Sequence, residues 1–534
     1  MLKSRVAAKA LENIVGGENF SEDPAIISSY TMQPPIGEAA KGEFFKDFFD
    51  SLKLGGVILP GSTEEVQAIV KVCNRYKICF KAHCTGMGLF SLPQPEGSIA
   101  VDLRRMNQLV IDAENMYAIM EPYVSHGELA AEAMKHGLTC NMIGAGSQCS
   151  MLASTTSLMG VGHTVYTTAS NARNCLGEEW VLPTGEVVRW GLVEEGKVGP
   201  PGPGYRGLCR GFFGVRGDLG IFTKCAVKLS PWPGPRELEI TGRNPTPGIR
   251  IPKNMKAYHF ALPGLGKFTE AAYKLADAAI AYHIWYFPLY YHLARWGGES
   301  NDDHYEGWKK FEAAGIIDRY KEEITIVIGA YSEKELKFKV EVLKDIMDET
   351  GAEELKLPGF TEHEAERFFC AQICAHKPCT QFRVGRGGQG SSWFQYLSLD
   401  GHVKGKKGIR QLYRKYVDKG AFNDYGMDTM WAGPEEGRSW GHSEYIAHTD
   451  QMKPELASEL LNWTGETVSL AINERVLGTG LSSSAYHKYE PGEVEEKYLD
   501  NPAPYKVKIK KALDPNNVGD EISFYSDVRS KYRE

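Results

Sequence analysis

The sequence predicts an α+β fold built from at least two domains, and three observations support this prediction. With 534 residues, of which 42% are hydrophobic, the chain is longer than one hydrophobic core usually organises. Short apolar segments typical of strands alternate with amphipathic helical segments along most of its length. Three prolines within residues 231–235 separate two regions of different character, so we expect a domain edge there.

Charge and hydropathy exclude several classes of protein. The formal net charge is −7 and is spread without long runs, which argues against a nucleic-acid partner. No stretch approaches the roughly 18 continuous apolar residues of a membrane helix. Residues 1–17 are amphipathic and lack the apolar core of a signal peptide. We therefore expect a cytoplasmic protein without a transmembrane segment.

The cysteines favour neither disulfides nor a metal centre. There are 11, and none forms a CxxC pair, which argues against a disulfide framework and a zinc ribbon. The tightest group is Cys370, Cys374 and Cys379, which are either iron–sulfur ligands or ordinary buried thiols. Their spacing matches no standard cluster motif, so we expect no metal.

Two glycine-rich segments give the first indication of function. Residues 55–80 predict a strand (57–59), a helix with a Ser62–Glu65 capping box, and a strand (78–80) that leads into the loop KAHCTGMG at 81–88. A second capping box, Ser125 with Glu128, opens a helix that precedes CNMIGAGSQCSMLASTTSLMGVG at 140–162. Glycine lets backbone N–H groups approach an anionic or planar ligand closely. Together the segments favour a large cofactor with a phosphate part and a ring part; the alternative is tight turns on a buried sheet.

The remaining elements are predicted in outline. A hairpin turns at Pro183–Gly185, residues 192–208 form a loop, and a strand runs from Ile221 to Leu229. Beyond residue 235, strands at 257–262 and 324–328 alternate with helices at 269–281 and 333–349. The aromatic run at 285–291 is either core packing or a substrate cage. A basic helix near the C-terminus ends at Asp514–Pro515.

Six segments in a fixed order resemble the vanillyl-alcohol oxidase/p-cresol methylhydroxylase (PCMH) family of FAD enzymes, which includes the glycolate oxidase flavin subunit and D-lactate dehydrogenases. They are VILPGSTEEVQAIVKVCNRYKI, SIAVDLRRMNQLV, MGVGHTVY, EEWVLPTGEVVRWG, FFGVRGDLGIFTKCAVKLSPWP and KIKKALDPNN. The resemblance implies a two-part PCMH-type FAD-binding domain at residues 1–235, completed by residues 491–534. It also implies an α+β cap (substrate) domain at residues 236–490.

The resemblance further implies which residues bind FAD. The loop 83–88 would hold the pyrophosphate, residues 144–162 would follow the ribityl chain and the ring, and residues 220–221 would meet the adenine. The implied cofactor-binding residues are Pro60, His83, Cys84, Thr85, Gly86, Met87, Gly88, Gly144, Ser147, Ser154, Thr155, Gly160, Gly162, His163, Gly220, Ile221, Phe394 and Lys510.

The chain also departs from the vanillyl-alcohol branch of that family. The histidine that binds FAD covalently there falls on Phe394, which implies noncovalent FAD, with a tyrosyl link through Tyr396 as the alternative. The Tyr–Arg pair that holds a phenolate falls near residues 482–484, and the acid before the glycine segment falls near Asn141 or Met142. A 4-hydroxybenzyl substrate is therefore in doubt.

Oxidation of an alcohol by a flavin needs a base near the hydroxyl and a group that fixes the substrate. His442 matches an active-site histidine of the family and is the candidate base; the alternative is a surface-loop histidine. Tyr486 and His487 are second candidates. Arg383 and Arg386 are either an anchor for a carboxylate or a solvated pair.

The leading hypothesis is an FAD-dependent dehydrogenase that takes a hydride from a hydroxyl-bearing or otherwise activated C–H substrate, with a 2-hydroxy acid as the first guess. The alternatives are an oxidase of phenolic or benzylic substrates, an electron-transfer flavin subunit of a larger complex, and a transferase that uses flavin as a scaffold, as alkylglycerone-phosphate synthase does. The expected partners are a small-molecule substrate, an electron-acceptor protein and, in a homodimer, a second copy of the chain.

Overall fold

A computed structural model describes residues 2–31, 54–86, 96–144, 146–157, 160–191, 193, 206–209, 219–243, 247–288, 301–319, 322–355, 360–374, 388–396, 398–424, 430–437, 440–449, 453, 455–474 and 503–519. Helices and mostly antiparallel sheets occur together in both halves of the chain. The predicted α+β fold is therefore confirmed.

The described helices are α1 (Arg5–Val15), α2 (Pro24–Thr31), α3 (Thr63–Tyr76), α4 (His126–Lys135), α5 (Met151–Thr156), α6 (Val165–Thr168), α7 (Asn171–Asn174), α8 (Arg206–Cys209), α9 (Leu265–Ala278), α10 (Asn301–Ala313), α11 (Ile316–Arg319), α12 (Glu333–Thr350), α13 (Glu362–Cys374), α14 (Leu399–Asp418), α15 (Glu455–Glu474) and α16 (Ala503–Leu513). None of these helices has the length and apolar composition needed to cross a membrane.

The described strands are β1 (Phe20–Ser21), β2 (Leu54–Ile58), β3 (Phe80–His83), β4 (Ser98–Asp102), β5 (Leu109–Asp112), β6 (Tyr117–Met120), β7 (Leu138–Thr139), β8 (Cys175–Val181), β9 (Val187–Gly191), β10 (Ile221–Lys228), β11 (Ser230–Pro231), β12 (Ile240–Thr241), β13 (Gly248–Ile249), β14 (Met255–Leu262), β15 (His283–Trp285), β16 (Glu322–Gly329), β17 (Glu353–Glu354), β18 (Gly388–Tyr396), β19 (Met430–Glu435) and β20 (Trp440–Thr449).

Helix α3 forms where the sequence predicts it. The Ser62 hydroxyl accepts a hydrogen bond from the Glu65 N–H at 3.2 Å, which satisfies one of the free donors at the helix start. The apolar residues at helical spacing are all fully buried; they are Val66, Ile69, Val70 and Cys73. The following strand is displaced from the predicted 78–80 to 80–83, because Lys77 ends the helix in a left-handed conformation and the Ile78 N–H still bonds back to α3.

Two larger sheets lie in the N-terminal half of the chain, besides the two-stranded pairs β7–β11 and β12–β13. The first has the order β1-β2-β4-β3, in which β2 and β3 each pair with β4 in parallel. The second is antiparallel, with the order β5-β6-β10-β8-β9. Its β8–β9 hairpin turns at residues 183–185, as predicted, and the second capping box, at Ser125 and Glu128, is also confirmed.

The C-terminal segment returns to the first sheet. The Phe80 N–H donates to the Val518 carbonyl at 2.9 Å, and Gly519 forms a parallel bridge with Phe80. The buried Lys510 ammonium lies 2.7 Å from Asp514, whose carboxylate accepts the N–H groups of residues 518 and 519. A two-part domain requires such a return, while the boundaries at residues 235 and 490 stay a prediction.

The strands between residues 255 and 449 form one larger sheet. A four-stranded part has the order β15-β16-β14-β17 and a three-stranded part has the order β18-β20-β19. They meet where Tyr286 and Ala432 exchange backbone hydrogen bonds of 2.7 and 3.3 Å. The combined order is β17-β14-β16-β15-β19-β20-β18, and all of these pairings are antiparallel.

The two faces of this seven-stranded sheet differ in composition, because successive side chains of a strand point to opposite sides. One face contributes apolar residues to a core with helices α9, α12, α14 and α15. The other, which we call the polar face, carries His259, His283, Trp285, Phe287, Trp431, Glu435, His442 and Glu444. Residues 441–443 lie inside β20 and pair on both sides, so His442 belongs to a central strand and not to a loop.

A buried polar network supports the second glycine-rich segment from below. The His126 ring is fully buried, with Nδ1 2.9 Å from the Asn141 carbonyl and Nε2 2.6 Å from the Ser154 hydroxyl. The Asn171 amide donates to the same hydroxyl at 3.0 Å, and the Asn141 amide donates to the Gly160 carbonyl at 2.6 Å. The network therefore ties residues 141, 154 and 160 of the segment to α4 and α7.

We expect this network to make the protein sensitive to acid. Burial lowers the pKa of His126 to about 4, against about 6.5 in an unfolded chain. The unfolded chain thus binds the extra proton first, so the free energy of unfolding falls as the pH drops from about 6.5 towards 4. Replacement His126→Gln should flatten that dependence in chemical denaturation at a series of pH values. The matched control is His136→Gln, at an exposed histidine, which should leave the dependence unchanged; equal slopes in both variants would contradict the assignment.

Candidate cofactor and active site

The two glycine-rich segments lie side by side at one edge of the first sheet. Residues 84–86 follow β3 directly, and the Ser150 N–H donates a hydrogen bond to the Thr85 hydroxyl at 3.1 Å. Ligands of parallel strands bind beyond the carboxyl ends of those strands, which is where both segments meet. Gly86 has a φ of +70°, a left-handed conformation that glycine adopts without strain. One ligand can therefore contact both segments.

A buried carboxylate holds the strand ends from which the first loop departs. Asp102 is fully buried at the end of β4 and accepts hydrogen bonds from the Tyr30 hydroxyl at 2.6 Å and from the Arg104 guanidinium at 2.7 Å. His83 pairs with Asp102 in the β3–β4 ladder, and its Nδ1 lies 3.7 Å from the same carboxylate. Burial is the main reason that the pKa of Tyr30 is raised and that of His83 is lowered. The Asp102 side chain thus holds helix α2 through Tyr30 and lies beside His83, where the loop begins.

The second segment folds back on itself at distances that only glycine permits. Residue 143 bridges Gly162, and a Cβ added to Gly162 would lie 2.0 Å from the Met142 carbonyl oxygen. The Gly144 N–H donates to the Val161 carbonyl at 3.0 Å. These contacts leave a surface made of backbone and small side chains, which suits a flat ring lying against it.

The polar face of the seven-stranded sheet covers this segment. An ideal Cβ at Gly144 would lie 3.2 Å from the Trp431 ring, so the indole stands directly over the glycine. The Trp285 indole N–H donates to the His163 carbonyl at 2.8 Å. Trp285 and Trp431 are in ring contact with a centroid separation of 4.7 Å, and Phe287 packs on both. Aromatic rings from β15 and β19 therefore form the wall opposite the glycine segment.

His442, the predicted base, lies in this wall. It occupies the middle of β20 opposite Gly433, is 5% exposed, and sets its ring edge-on to Trp431 with a centroid separation of 5.1 Å. The absence of a side chain at Gly433 admits Trp285, whose ring lies 2.9 Å from where a Cβ would be. The alternative of a surface-loop histidine is wrong, because the imidazole is buried among aromatic rings.

Two further histidines are held by helix α13. His163 Nδ1 lies 3.0 Å from the Ala371 carbonyl, and His283 Nε2 lies 3.0 Å from the Gln372 side-chain oxygen. The two fully buried imidazoles stack with a centroid separation of 5.9 Å. Each also contacts the Trp285 ring, so α13 fixes the histidine end of the aromatic wall.

The described residues fit an FAD. The loop after β3 and the segment around Ser150 supply backbone and hydroxyl groups at one strand edge, as a pyrophosphate needs. Gly144 has no side chain and faces the Trp431 ring, so bare backbone and an aromatic surface meet there, as a flat ring system needs.

Several predicted cofactor residues have partners within the protein. The Ser154 and Thr155 hydroxyls donate to backbone carbonyls of α5, and Ser147 accepts the Gly127 N–H through its carbonyl. Gly220 approaches the Val181 carbonyl, just before Ile221 begins β10. Pro60 follows β2 and is buried. The roles of these residues and of Lys510 towards FAD stay predictions.

Other predicted residues fall outside the described ones. These are Met87, Gly88, Cys379, Arg383, Arg386, Tyr486 and His487. Phe394 and Tyr396 lie in β18, where Phe394 pairs with Ser443 and Tyr396 pairs with Gly441 through the backbone; their side chains are outside the described part. Position 394, where the covalent histidine of the family falls, thus lies on the strand next to the one that carries His442.

The residues that sequence reasoning missed are Trp431, His283, Gln372 and Glu435, besides the aromatic pair at 285 and 287. A period-two pattern could have found His283 and Trp431, which lie in the short alternating stretches 283–287 and 430–433. Gln372 lies on helix α13 and Glu435 lies beyond these stretches, so no such signal marks them. The described residues 285–287 are all buried, as the core-packing interpretation of the run 285–291 predicts, but they divide between two faces of the sheet. Tyr286 belongs to the helix-side core, while its two neighbours lie on the polar face.

The cysteines of the described part are free thiols. Cys370 and Cys374 lie one turn apart on α13, where a hydrogen bond of the Cys374 thiol to Cys370 and burial raise the pKa of Cys374. Within the described ranges, no group of three or more His, Cys, Asp or Glu side chains is arranged to hold a metal ion.

Comparisons with known proteins agree with this geometry. The flavoprotein subunit of 4-cresol dehydrogenase [hydroxylating] from Pseudomonas putida is 31% identical over 185 residues, which are 32% of this chain and 34% of that protein. The glycolate oxidase subunit GlcD from Bacillus subtilis is 28% identical over 236 residues, or 42% of this chain and 44% of that protein. The chain thus spans about a third of the first relative's length and under half of the second's.

The likeness of folds extends further. The crystal structure of p-cresol methylhydroxylase with substrate bound has a TM-score of 0.73 at 17% identity, covering 96% of this chain and 95% of that one. The FAD binding domain family matches residues 55–191, which include the loop after β3, most of the first sheet and the whole glycine segment. Residues 55–191 are therefore an FAD-binding domain, and the chain as a whole has the PCMH-type fold.

Proposed function

We propose that the chain is an FAD-dependent oxidoreductase that takes a hydride from a small organic substrate held between the glycine segment and the polar face. The observation that carries the proposal is the contact of Trp431 with Gly144, together with the edge-on contact of the His442 imidazole with the Trp431 ring. FAD, when bound, supplies a hydride acceptor at N5. The likeness to named dehydrogenase and oxidase subunits supports the same reaction class.

The chain's own residues supply the rest of the chemistry. His442 accepts the proton of the substrate hydroxyl, since its imidazole contacts the Trp431 indole that covers Gly144. Trp285, Phe287 and Trp431 exclude water from the site and hold the substrate with its reacting carbon against the cofactor. Gly433 contributes by leaving space for Trp285.

The wall favours a ring-bearing substrate over a 2-hydroxy acid. Among the described residues of the polar face there are aromatic rings, imidazoles and carboxylic acids, and neither lysine nor arginine. A buried carboxylate needs a paired cation, and the predicted anchors Arg383 and Arg386 lie outside the described part. Aromatic rings offer an apolar, flat contact instead. We therefore propose a phenolic or benzylic substrate first and a 2-hydroxy acid second.

Noncovalent FAD is a further part of the proposal, because Phe394 stands at the position of the covalent histidine and cannot form that bond. We expect a yellow protein whose FAD, one per chain, is released by trichloroacetic acid or heat. The measurement is absorbance of the supernatant and of the washed precipitate. Flavin that stays with the polypeptide would contradict the noncovalent assignment and direct attention to Tyr396. A colourless protein that FAD cannot reconstitute would refute the whole proposal.

The substrate class and the electron acceptor can be tested in one experiment. Under anaerobic conditions we expect a benzylic alcohol or an alkylphenol to bleach the flavin, and 2-hydroxy acids to do so more slowly or not at all. Air is then admitted: we propose a dehydrogenase that passes electrons to a protein or quinone acceptor, so the flavin should reoxidise slowly. Fast reoxidation with stoichiometric peroxide would instead identify an oxidase. Bleaching only by a redox protein would favour an electron-transfer subunit.

The role of His442 is tested by His442→Ala. Loss of the base should lower the rate of flavin reduction by roughly 10²–10⁴-fold, while FAD content stays the same. Stopped-flow absorbance gives the rate, and His363→Ala, at an exposed histidine of α13, is the matched control. A rate within about threefold of the parent protein would remove His442 from the mechanism.

A further inference from the structure

A second acid lies on the polar face beside His442. Glu435 ends β19, is fully buried, and neither carboxyl oxygen has a hydrogen-bond partner among the described residues. The Ser170 hydroxyl is also buried and lies close enough to the carboxyl to lower its pKa, although the two form no hydrogen bond of standard geometry. Two adjacent buried polar groups without a well-formed hydrogen bond indicate a place for ordered water, because leaving both unsatisfied is costly.

The strand register relates Glu435 to His442. In the β19–β20 ladder Gly433 is opposite His442 and Glu435 is opposite Trp440, so Glu435 and His442 are diagonal neighbours on one face. Diagonal positions of an antiparallel pair are about 7–8 Å apart, a span that two long side chains or one water can bridge.

The other side of Glu435 leads towards solvent. Arg173 of α7 and Glu436 form an ion pair whose side chains are 45% and 25% exposed. The Glu436 N–H donates to the Val165 carbonyl, which holds this end of β19 against α6. Glu435 therefore lies between a buried imidazole and a solvated ion pair.

Its surroundings favour the acid form of Glu435. Burial raises the pKa of this carboxyl well above its usual range, and repulsion from Glu436 raises it further, while Ser170 and Arg173 lower it. The elements around Glu435 carry further titratable groups. These are His442 on β20, His283 on β15 and Tyr166 on α6, whose phenol is near Asp277. A protonated carboxyl is both a donor and an acceptor.

We propose that Glu435 acts through His442 as a positioning residue for the proton. It receives the proton that His442 has taken from the substrate and passes it on to the solvent at the Arg173–Glu436 pair. The proposal depends on the proposed function. With FAD bound, oxidation of one alcohol would deliver a hydride with its electron pair to the flavin and the hydroxyl proton to His442. One Glu435 oxygen accepts the imidazolium proton while the other gives its own to water near Ser170. Imidazole and carboxylic acid are then restored, and one proton has left the site.

The test uses Glu435→Gln in the full-length protein, since glutamine has the shape of a protonated glutamate but no proton to pass on. Stopped-flow recordings follow flavin reduction and, with an indicator dye in weak buffer, proton release. We expect reduction within about threefold of the parent rate, and proton release slowed by at least about tenfold. The matched control is Glu354→Gln, at the exposed far edge of the same sheet, which should change neither rate.

A second readout needs no turnover. Because the folded pKa of Glu435 is raised, its contribution to stability is present below about pH 4.5 and is lost as the pH rises towards the folded pKa. The Glu435→Gln variant lacks this titration, so its unfolding free energy relative to the parent should increase with pH. A pH-independent difference would overturn the buried acid and the relay with it.

The outcomes separate the two proposals. Proton release that remains coupled to flavin reduction in Glu435→Gln overturns the relay and leaves the oxidoreductase intact. A parent flavin that no substrate of the panel reduces refutes the proposed function and the relay together, whatever the stability readout gives.

Discussion

The alternation of side chains along the seven-stranded sheet is the constraint on which the site depends. Because neighbouring residues of a strand face opposite ways, β15 buries Tyr286 against the helices and presents Trp285 and Phe287 to the glycine segment. A slip of one residue would exchange the two faces, so the register has to be fixed. The Tyr286–Ala432 bridge fixes it where the two parts of the sheet meet.

The glycine segment is the complement of that face. It offers backbone and small side chains to a flat ligand, and it is kept in shape from below by the network around His126. The two halves of the chain thus have different tasks. The FAD-binding half supplies close backbone approach at Gly144 and Gly162, and the other half supplies the reactive and ring-bearing side chains opposite. Gly144 under Trp431 is one of the points at which the halves touch.

Local signals predicted the FAD-binding half well. Capping residues and apolar spacing fix α3, and a Pro–Gly turn fixes the β8–β9 hairpin, because these patterns act within a few residues. The glycine segments were also found from composition alone. The resemblance to an FAD family then supplied the cofactor, which no single short pattern in the chain specifies.

The other half was harder to predict, because its sheet joins strands far apart in sequence. Nothing local indicates that Ala432 pairs with Tyr286, so the ring run at 285–291 could not be divided between two faces. The glycines and prolines around β20 have the composition of a loop, so the strand that carries His442 was not predicted. Glu435, a glutamate in the sequence Pro-Glu-Glu-Gly, has the pattern of a surface turn, and only the packing of α6 and α7 buries it.

The most direct test of the account is the crystal structure of the FAD-loaded protein. The account predicts that the isoalloxazine ring lies against the backbone of residues 144–162. It also predicts that Trp431 and His442 line the opposite side of the space that the substrate occupies. A ring bound elsewhere, or one whose N5 is remote from the polar face of the seven-stranded sheet, would contradict it.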